Sequence, residues 1–327
     1  MSSVDVLIPN YNYGRYLRAC AGSVLSQDID LRLLIIDNAS TDDSARIAHA
    51  IAAGDPRVEL RLHRENLGPH SSFNEGIDWA QADYFLILCA DDLLAPGALA
   101  RAAAAMDDHP DVHLTFGQWL AIGPDSPTPA ADSHPARDWR ILSGLHFLER
   151  ACESGRNPCP GPTCVVRTAV QKAVGHYRPS LPHTDDLEMW MRFACHGKIA
   201  ETSAVQAFAR VHEANQSASV ADLPRWNREF AAAFDSFFAN EGAALAERTR
   251  LQRLARRSLG ESAYWSGLAS LARGEYRVGF DLIRFAVHTA PRTAILPPIG
   301  RLLRRPDWRQ RISMALGARR TSGKTVR

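Results

Sequence analysis

Apolar and polar positions alternate in a changing rhythm along this chain. Short apolar runs, Val4–Ile8, Leu31–Ile36, Val58–Leu62, Tyr84–Leu88 and Val112–Phe116, read as buried strands. Between them, apolar residues recur at helical spacing near Arg15–Ser26, Asp42–Ala53, Ser71–Trp79 and Pro96–Met106. Ser40 and Asp43 are spaced like a capping box ahead of the second of these helices, and Gly54 marks its end. Strand and helix in alternation predict an open, mostly parallel α/β sheet with helices on both faces. A further strand is expected at Cys164–Arg167, and Gly123–Pro135 reads as a surface loop. After about residue 220 the strand signal stops. Trp226–Phe238, Ala243–Leu259, Ser262–Ala272 and Tyr276–Thr289 read as helices, and the segment Gly274–Pro291 has the look of one tetratricopeptide-like helix pair. Two domains are therefore expected, 1–220 and a C-terminal helical subdomain over 221–327 with a basic tail.

Three strands end in polar clusters. Val4–Ile8 runs into Pro9-Asn10-Tyr11-Asn12, Leu33–Ile36 into Asp37-Asn38-Ala39-Ser40-Thr41-Asp42, and Tyr84–Leu88 into Cys89-Ala90-Asp91-Asp92. In an open parallel sheet, ligands bind beyond the carboxyl ends of the strands. Adjacent carboxylates there suit a hard divalent cation, which prefers oxygen ligands and often bridges to phosphates. The alternative reading of Asp91-Asp92 is an acidic helix start before Pro96.

These segments, with Glu65-Asn66-Leu67-Gly68 between them, resemble the family 2 glycosyltransferases in order and spacing over about the first 100 residues. Further matches continue to about residue 217. The resemblance implies a GT-A fold and inverting transfer of a sugar from a nucleotide-diphosphate sugar, with UDP- or dTDP-linked donors favoured. It implies that Asp37 accepts a hydrogen bond from the base, that Pro9 and Tyr11 line the base pocket, and that Asn10, Asn12, Asn66, Gly68, Asn74, Asp91, Asp92 and Arg210 belong to the nucleotide-sugar site. Asp91 and His212 are the expected ligands of Mg²⁺ or Mn²⁺, although His212 could instead contact a phosphate or be structural. Cys89 departs from the family, which places an acid there, and Phe73 stands where the family commonly has Arg.

Later in the chain, Thr184-Asp185-Asp186-Leu187-Glu188-Met189-Trp190 resembles the family's acceptor-side segment. Asp186 aligns with the catalytic base, Asp185 could orient it or raise its pKa, and Trp190 lies on the acceptor side. Thr184 followed by acids is also the pattern of a capped helix start. The Pro- and Gly-rich stretch Asn157–Thr163 reads as a fixed loop facing the acceptor pocket.

Composition narrows the partners. The chain has 327 residues, 46% apolar and 23% charged, at a net charge of +2. These are globular values with no global attraction to nucleic acid. The charge is polarised, with ten Arg or Lys against one acid from Pro291 onward, which leaves the first 290 residues at −7. The arginines of Ile299–Arg320 are interleaved with apolar residues, so that segment could contact a membrane surface or pack on the acidic body. The six cysteines form no C-x-x-C pair and read as reduced thiols. With no leader sequence or spanning segment visible, the expected location is cytoplasmic or on the cytosolic face of the inner membrane. The acceptor would be a saccharide or lipid-linked saccharide of a bacterial surface polysaccharide. A non-catalytic binding module of the same fold and a sugar nucleotidylyltransferase are the rival readings. The second should carry a Gly-rich phosphate loop after the first strand, which Pro9-Asn10-Tyr11-Asn12-Tyr13 is not.

Overall fold

A computed structural model describes residues 2–126, 138–212, 222–294 and 298. The chain divides into two compact units, Met1–Asp222 with Arg228–Ala255, and Leu223–Asn227 with the residues from Arg256 onward. The Ile299–Arg320 segment, residues 213–217 of the late motif and residues 127–135 of the expected loop lie outside the described residues.

The first unit is built in the expected alternation. β1 (Ser3–Asn10), α1 (Gly14–Leu25), β2 (Asp30–Asp37), α2 (Ser44–Gly54), β3 (Val58–Leu62), α3 (Pro69–Trp79) and β4 (Tyr84–Ile87) follow in turn. Then come β5 (Leu93–Leu94), α4 (Ala98–Asp108), β6 (Val112–Ile122), β7 (Trp139–Leu142), α5 (Gly144–Ser154), β8 (Val165–Arg167), α6 (Thr168–Val174), α7 (Asp185–Ala194) and β9 (Lys198–Arg210). All nine strands join one mixed sheet in the order β3-β2-β1-β4-β8-β6-β9-β5, with β7 also on β9. The ladders β1–β2, β2–β3, β1–β4 and β6–β9 are parallel; β4–β8, β5–β9, β6–β8 and β7–β9 are antiparallel.

Strand alternation explains the core. Val4, Val6 and Ile8 of β1 and Leu33 and Ile35 of β2 face one side, where Leu17, Cys20 and Val24 of α1 pack with Leu99 and Met106 of α4. On the other face of β1, Leu7 fills the space left by Gly76 of α3, where any Cβ would collide with its side chain. The strand β9 was not expected. Its residues alternate weakly and contain four alanines, so the pattern has little apolar contrast to read.

Two local expectations fail for identifiable reasons. No capping box forms before α2. The Ser40 hydroxyl instead donates to Asp37 Oδ1 at 2.6 Å, Asp43 pairs with Arg46 at the surface, and Asp42 accepts from the Ser44 amide at 2.9 Å. Thr184 precedes α7, but its hydroxyl donates to the Glu229 carbonyl at 3.0 Å rather than capping the helix.

From Leu223 the chain is helical, with α8 (Leu223–Ala239), α9 (Arg248–Ala272) and α10 (Tyr276–Thr289). The two helices expected at Ala243–Leu259 and Ser262–Ala272 are one, because Gly260 packs rather than breaks: a Cβ there would lie 2.5 Å from that of Ala290. Gly267 against Ile283 and Gly279 against Leu271 continue this seam, so α9 and α10 form an antiparallel hairpin in the second unit. Gly274, at φ 83°, makes the turn between them. Among the described residues, no helix is long and apolar enough to cross a membrane.

The base of the parallel sheet is held by one buried acid. Asp5 is fully buried and accepts from Arg32 Nε at 2.8 Å and Nη2 at 2.6 Å, and from the amides of Gln81 at 2.6 Å and Ala82 at 2.9 Å. Asp5→Ala orphans both amides and the Arg32 pairing. It is expected to cost about 3 kcal/mol, read as a lower denaturant midpoint at unchanged slope.

Candidate active site

The parallel strands deliver their ends to one edge, and side chains fold the loops there into rigid turns. Asn10 closes β1 and is buried. Its Nδ2 donates to Asp37 Oδ1 at 2.7 Å and to Ser40 Oγ at 3.2 Å. Asp37 Oδ2 also accepts from the Ser40 amide at 3.0 Å. Asn12 sits at φ 58°, where its amide donates to Ser40 Oγ at 2.8 Å and its Oδ1 accepts from the Thr41 amide at 2.7 Å. Asn tolerates that left-handed geometry better than most residues. The Asn10–Asp37–Ser40 cluster thus fixes the Asp37 carboxylate. Oδ1 already accepts two bonds, whereas Oδ2 accepts one and retains acceptor capacity. Pro9 is half-buried beside it and Tyr11 is exposed at the rim.

Asn38 builds the next loop. Its Nδ2 donates to Asn66 Oδ1 at 3.0 Å and to the Gly68 carbonyl at 3.1 Å, and its Oδ1 accepts from the Leu67 amide at 2.9 Å. Gly68 enters α3 at φ 79°, ψ 164°, a conformation open essentially to glycine alone. Asn66 and Gly68 therefore shape this loop. Asn74 pairs twice with the backbone of Tyr177, donating at 3.1 Å and accepting at 2.8 Å, so it ties α3 to the segment before α7.

After β4 the chain turns through Cys89 to Asp91 and Asp92, both nearly buried. Asp91 Oδ2 lies 3.1 Å from His212 Nε2. The imidazole is stacked on Tyr16, with centroids 5.3 Å apart, and meets the edge of Tyr13 at 5.5 Å. Burial raises the Asp91 pKa, and His212 and Arg210 partly oppose it. Asp92 accepts from the Arg210 amide at 3.1 Å, and burial followed by the charge of Asp91 pushes its carboxyl well up. The Arg210 guanidinium reaches the carbonyls of Asp91, Gly123, Pro124 and Ser126 and lies over the Tyr16 ring. It braces the wall of the cleft.

The second acid pair opens α7. Asp186 Oδ2 accepts from Asn157 Nδ2 at 2.7 Å, and Oδ1 accepts from the Leu187 amide at 2.6 Å. Asn157 is oriented by the Cys159 amide, which donates to its Oδ1 at 3.0 Å. Burial, then the charge of Asp185, raises the Asp186 carboxyl to about 7. Asp185 Oδ2 lies 3.2 Å from His70 Nε2. Trp190 is 4% exposed and packs on Phe193 within the first unit. The helix itself is anchored by buried Glu188, which pairs with Arg178 and with Arg192, and Arg192 also donates to the carbonyls of Val174 and His176 at 2.8 Å each.

Cys89 joins the two groups. Desolvation of its thiol and then the charges of Asp91, Asp92, Asp185 and Asp186 push it well above the ordinary range, so both acid pairs lie near this residue. Cys89, Asp91 and Asp92 place one potential ligand atom each within 4.8 Å of one another. Sequence reasoning did not single out His70, Asn157, Tyr13 or Tyr16 as individual residues. Asn157 lay in the loop expected beside the acceptor pocket. The others carried no local signal, because their partners are distant in the chain.

The model of glycosyl transferase family 2 matches residues 5–172. This chain belongs to that family. An uncharacterised glycosyltransferase of Rickettsia typhi is 26% identical over 223 residues, 64% of each chain. A PGL/p-HBAD biosynthesis glycosyltransferase of Mycobacterium tuberculosis is 35% identical over 118 residues, 35% of this chain and 45% of the relative. The matches thus span less than two thirds of these relatives' lengths. Among solved structures, residues 1–349 of S. aureus TarS in complex with UDP-GlcNAc superpose with a TM-score of 0.63 at 18% identity, covering 88% of this chain and 82% of that one. The mannosyltransferase PcManGT of Pyrobaculum calidifontis, in complex with GDP-Man and Mn²⁺, gives 0.56 at 16% identity, covering 96% and 84%. These likenesses show the GT-A fold.

The Asn38 network makes a direct prediction. Asn38 is nearly buried and its amide carries the whole Asn66–Gly68 turn. Asn38→Ala should cost about 2 kcal/mol. It should also speed amide exchange at Leu67 and Gly68 before exchange in β1 and β2 changes.

Proposed function

We propose that this protein is an inverting glycosyltransferase that moves a sugar from a nucleotide-diphosphate sugar to the hydroxyl of a saccharide or lipid-linked saccharide, in bacterial surface polysaccharide synthesis. The observation that carries the reading is the shared cleft. The Asp91–His212 pair and the raised Asp186 carboxyl both bear on Cys89. Inverting transfer needs those two functions side by side: stabilisation of a departing diphosphate and a base for the attacking hydroxyl.

The donor side assigns itself by chemistry. Asp37 is a fixed acceptor at a sheet edge and suits the imide N–H of uracil or thymine, with Pro9 and Tyr11 beside the base. Asn10 and Asn12 hold that acceptor in place, and Asn66, Gly68 and Asn74 set the loop and helix that border it. Asp91 and His212 would hold a divalent cation. Their 3.1 Å separation matches the roughly 3 Å between neighbouring ligands of an octahedral ion bonded at about 2.1 Å. When bound, such an ion neutralises the diphosphate as it departs. Asp92 Oδ1 accepts from the Arg210 amide, and the soft thiol of Cys89 is a poor ligand for Mg²⁺ or Mn²⁺. The TarS and PcManGT complexes, with UDP-GlcNAc and with GDP-Man and Mn²⁺, support this donor class.

On the acceptor side, Asp186 takes the hydroxyl proton as the new C–O bond forms and the bond from the anomeric carbon to the diphosphate breaks. Asn157 and the Leu187 amide hold the carboxylate in one orientation. A pKa near 7 matches a base working near neutrality. Cys89 favours one alternative, a binding module of the same fold without turnover. Sugar transfer to any acceptor decides against it. Contact of the basic segment from Pro291 with anionic lipid would bring the enzyme to a lipid-linked acceptor.

Two substitutions test the reading. Asp186→Asn should preserve nucleotide binding and lower kcat by at least about 10². Because the base acts only when deprotonated, wild-type kcat should rise with pH through about 7; a flat profile from pH 5 to 9 would contradict the assignment. Asp91→Ala should remain folded yet lose Mn²⁺ binding by calorimetry and most transfer. Near-wild-type values for both would take Asp91 out of the metal role.

A further inference from the structure

His70 stands apart from the motifs that identify the family, yet it reaches the acid pair. It lies in the first turn of α3, is 9% exposed, and its Nε2 is 3.2 Å from Asp185 Oδ2. The buried Nε2 makes no aligned hydrogen bond, so the contact with Asp185 is an ion pair when the ring is protonated rather than a directional bond. Its place is rigid. The ring meets Phe73 edge-on at 5.9 Å, and Phe73 meets Tyr177 at 5.5 Å. Asn74 locks that tyrosine's backbone with two bonds. Phe73, where the family commonly has Arg, thus joins an aromatic chain that ties the histidine to the segment before α7.

We propose that His70 is a positioning residue for the catalytic base: as an imidazolium it holds Asp185 and offsets the negative charge that Asp185 presents to Asp186. The proposal rests on the assignment of Asp186 as the base. Cys159 after α5 and Tyr177 before α7 feel the charge of Asp186, and both are pushed well above their ordinary pKa values, first by burial. Asn157 donates a neutral hydrogen bond. A cation within about 4–6 Å of a carboxylate favours its charged form, and a like charge opposes it. Neutralising Asp185 therefore keeps Asp186 ionisable in a desolvated site. Without His70, the repulsion from Asp185 acts in full and Asp186 holds its proton to higher pH.

The test is ¹³C-carboxyl NMR titration of Asp186 beside the pH profile of kcat, in wild type, His70→Ala, Asp185→Asn and the double variant. His70→Ala should move the Asp186 midpoint and the acid limb of kcat upward together by about half a pH unit or more. Donor KM should stay within about twofold. Asp185→Asn should move the midpoint down, and adding His70→Ala should move it no further. An unchanged midpoint in folded His70→Ala, or a raised donor KM with an unchanged midpoint, overturns the proposal. If His70→Ala does not fold, His70→Gln fills the space without the cation and carries the same expectation. The carboxyl titration needs no turnover. Absence of transfer from every donor would thus defeat the proposed function while the midpoint still decides the role of His70.

Discussion

The site depends on keeping four carboxylates in one partly desolvated cleft. Two unit charges 4 Å apart interact by about 4 kcal/mol at the effective dielectric of a protein surface. Asp91, Asp92, Asp185 and Asp186 would therefore drive the cleft apart if each stood alone. Each has a named counterweight: His212 for Asp91, the Arg210 amide for Asp92, His70 for Asp185, and Asn157 with the Leu187 amide for Asp186. Burial, which these partners offset only in part, is what leaves Asp91, Asp92 and Asp186 with raised pKa values.

These counterweights come from every part of the first unit. His212 and Arg210 close β9 from the far side of the sheet, His70 opens α3, and Asn157 follows α5. Their placement needs rigid supports, and the polar networks away from the chemistry supply them. Asn38 folds the loop before α3, Asn74 pins α3 to Tyr177, and Glu188 with Arg178 and Arg192 fixes α7. A buried ion pair adds little net stability, but it selects one geometry. Here that geometry matters, because the pKa of Asp186 follows first from its burial and then from the charge of Asp185 beside it.

Much of the fold was legible along the chain. The β1–α1–β2–α2–β3–α3–β4 series followed from alternating apolar periods, since buried strands and amphipathic helices must carry them. Polar clusters at three strand ends marked the edge where ligands sit, and the family motifs named Asp37, Asp91 and Asp186. The strand β9 was not legible, because its alanines give no contrast. Nor was the continuity of α9, because Gly260 looks like a break until Ala290 is seen against it.

What the residues determined by themselves is local: period, turn chemistry, and carboxylates at strand ends and at a helix start. Those depend on neighbours within a few positions. The meaning of the carboxylates was decided only by the tertiary structure. Asp186 and Asn157 are 29 positions apart, Asp91 and His212 are 121 apart. His70 meets Asp185 because Phe73 and Asn74 tie α3 to Tyr177, in the segment that leads into α7. Burial and charge–charge interaction act through space, so no pattern along the chain could encode which acid is charged and which holds its proton.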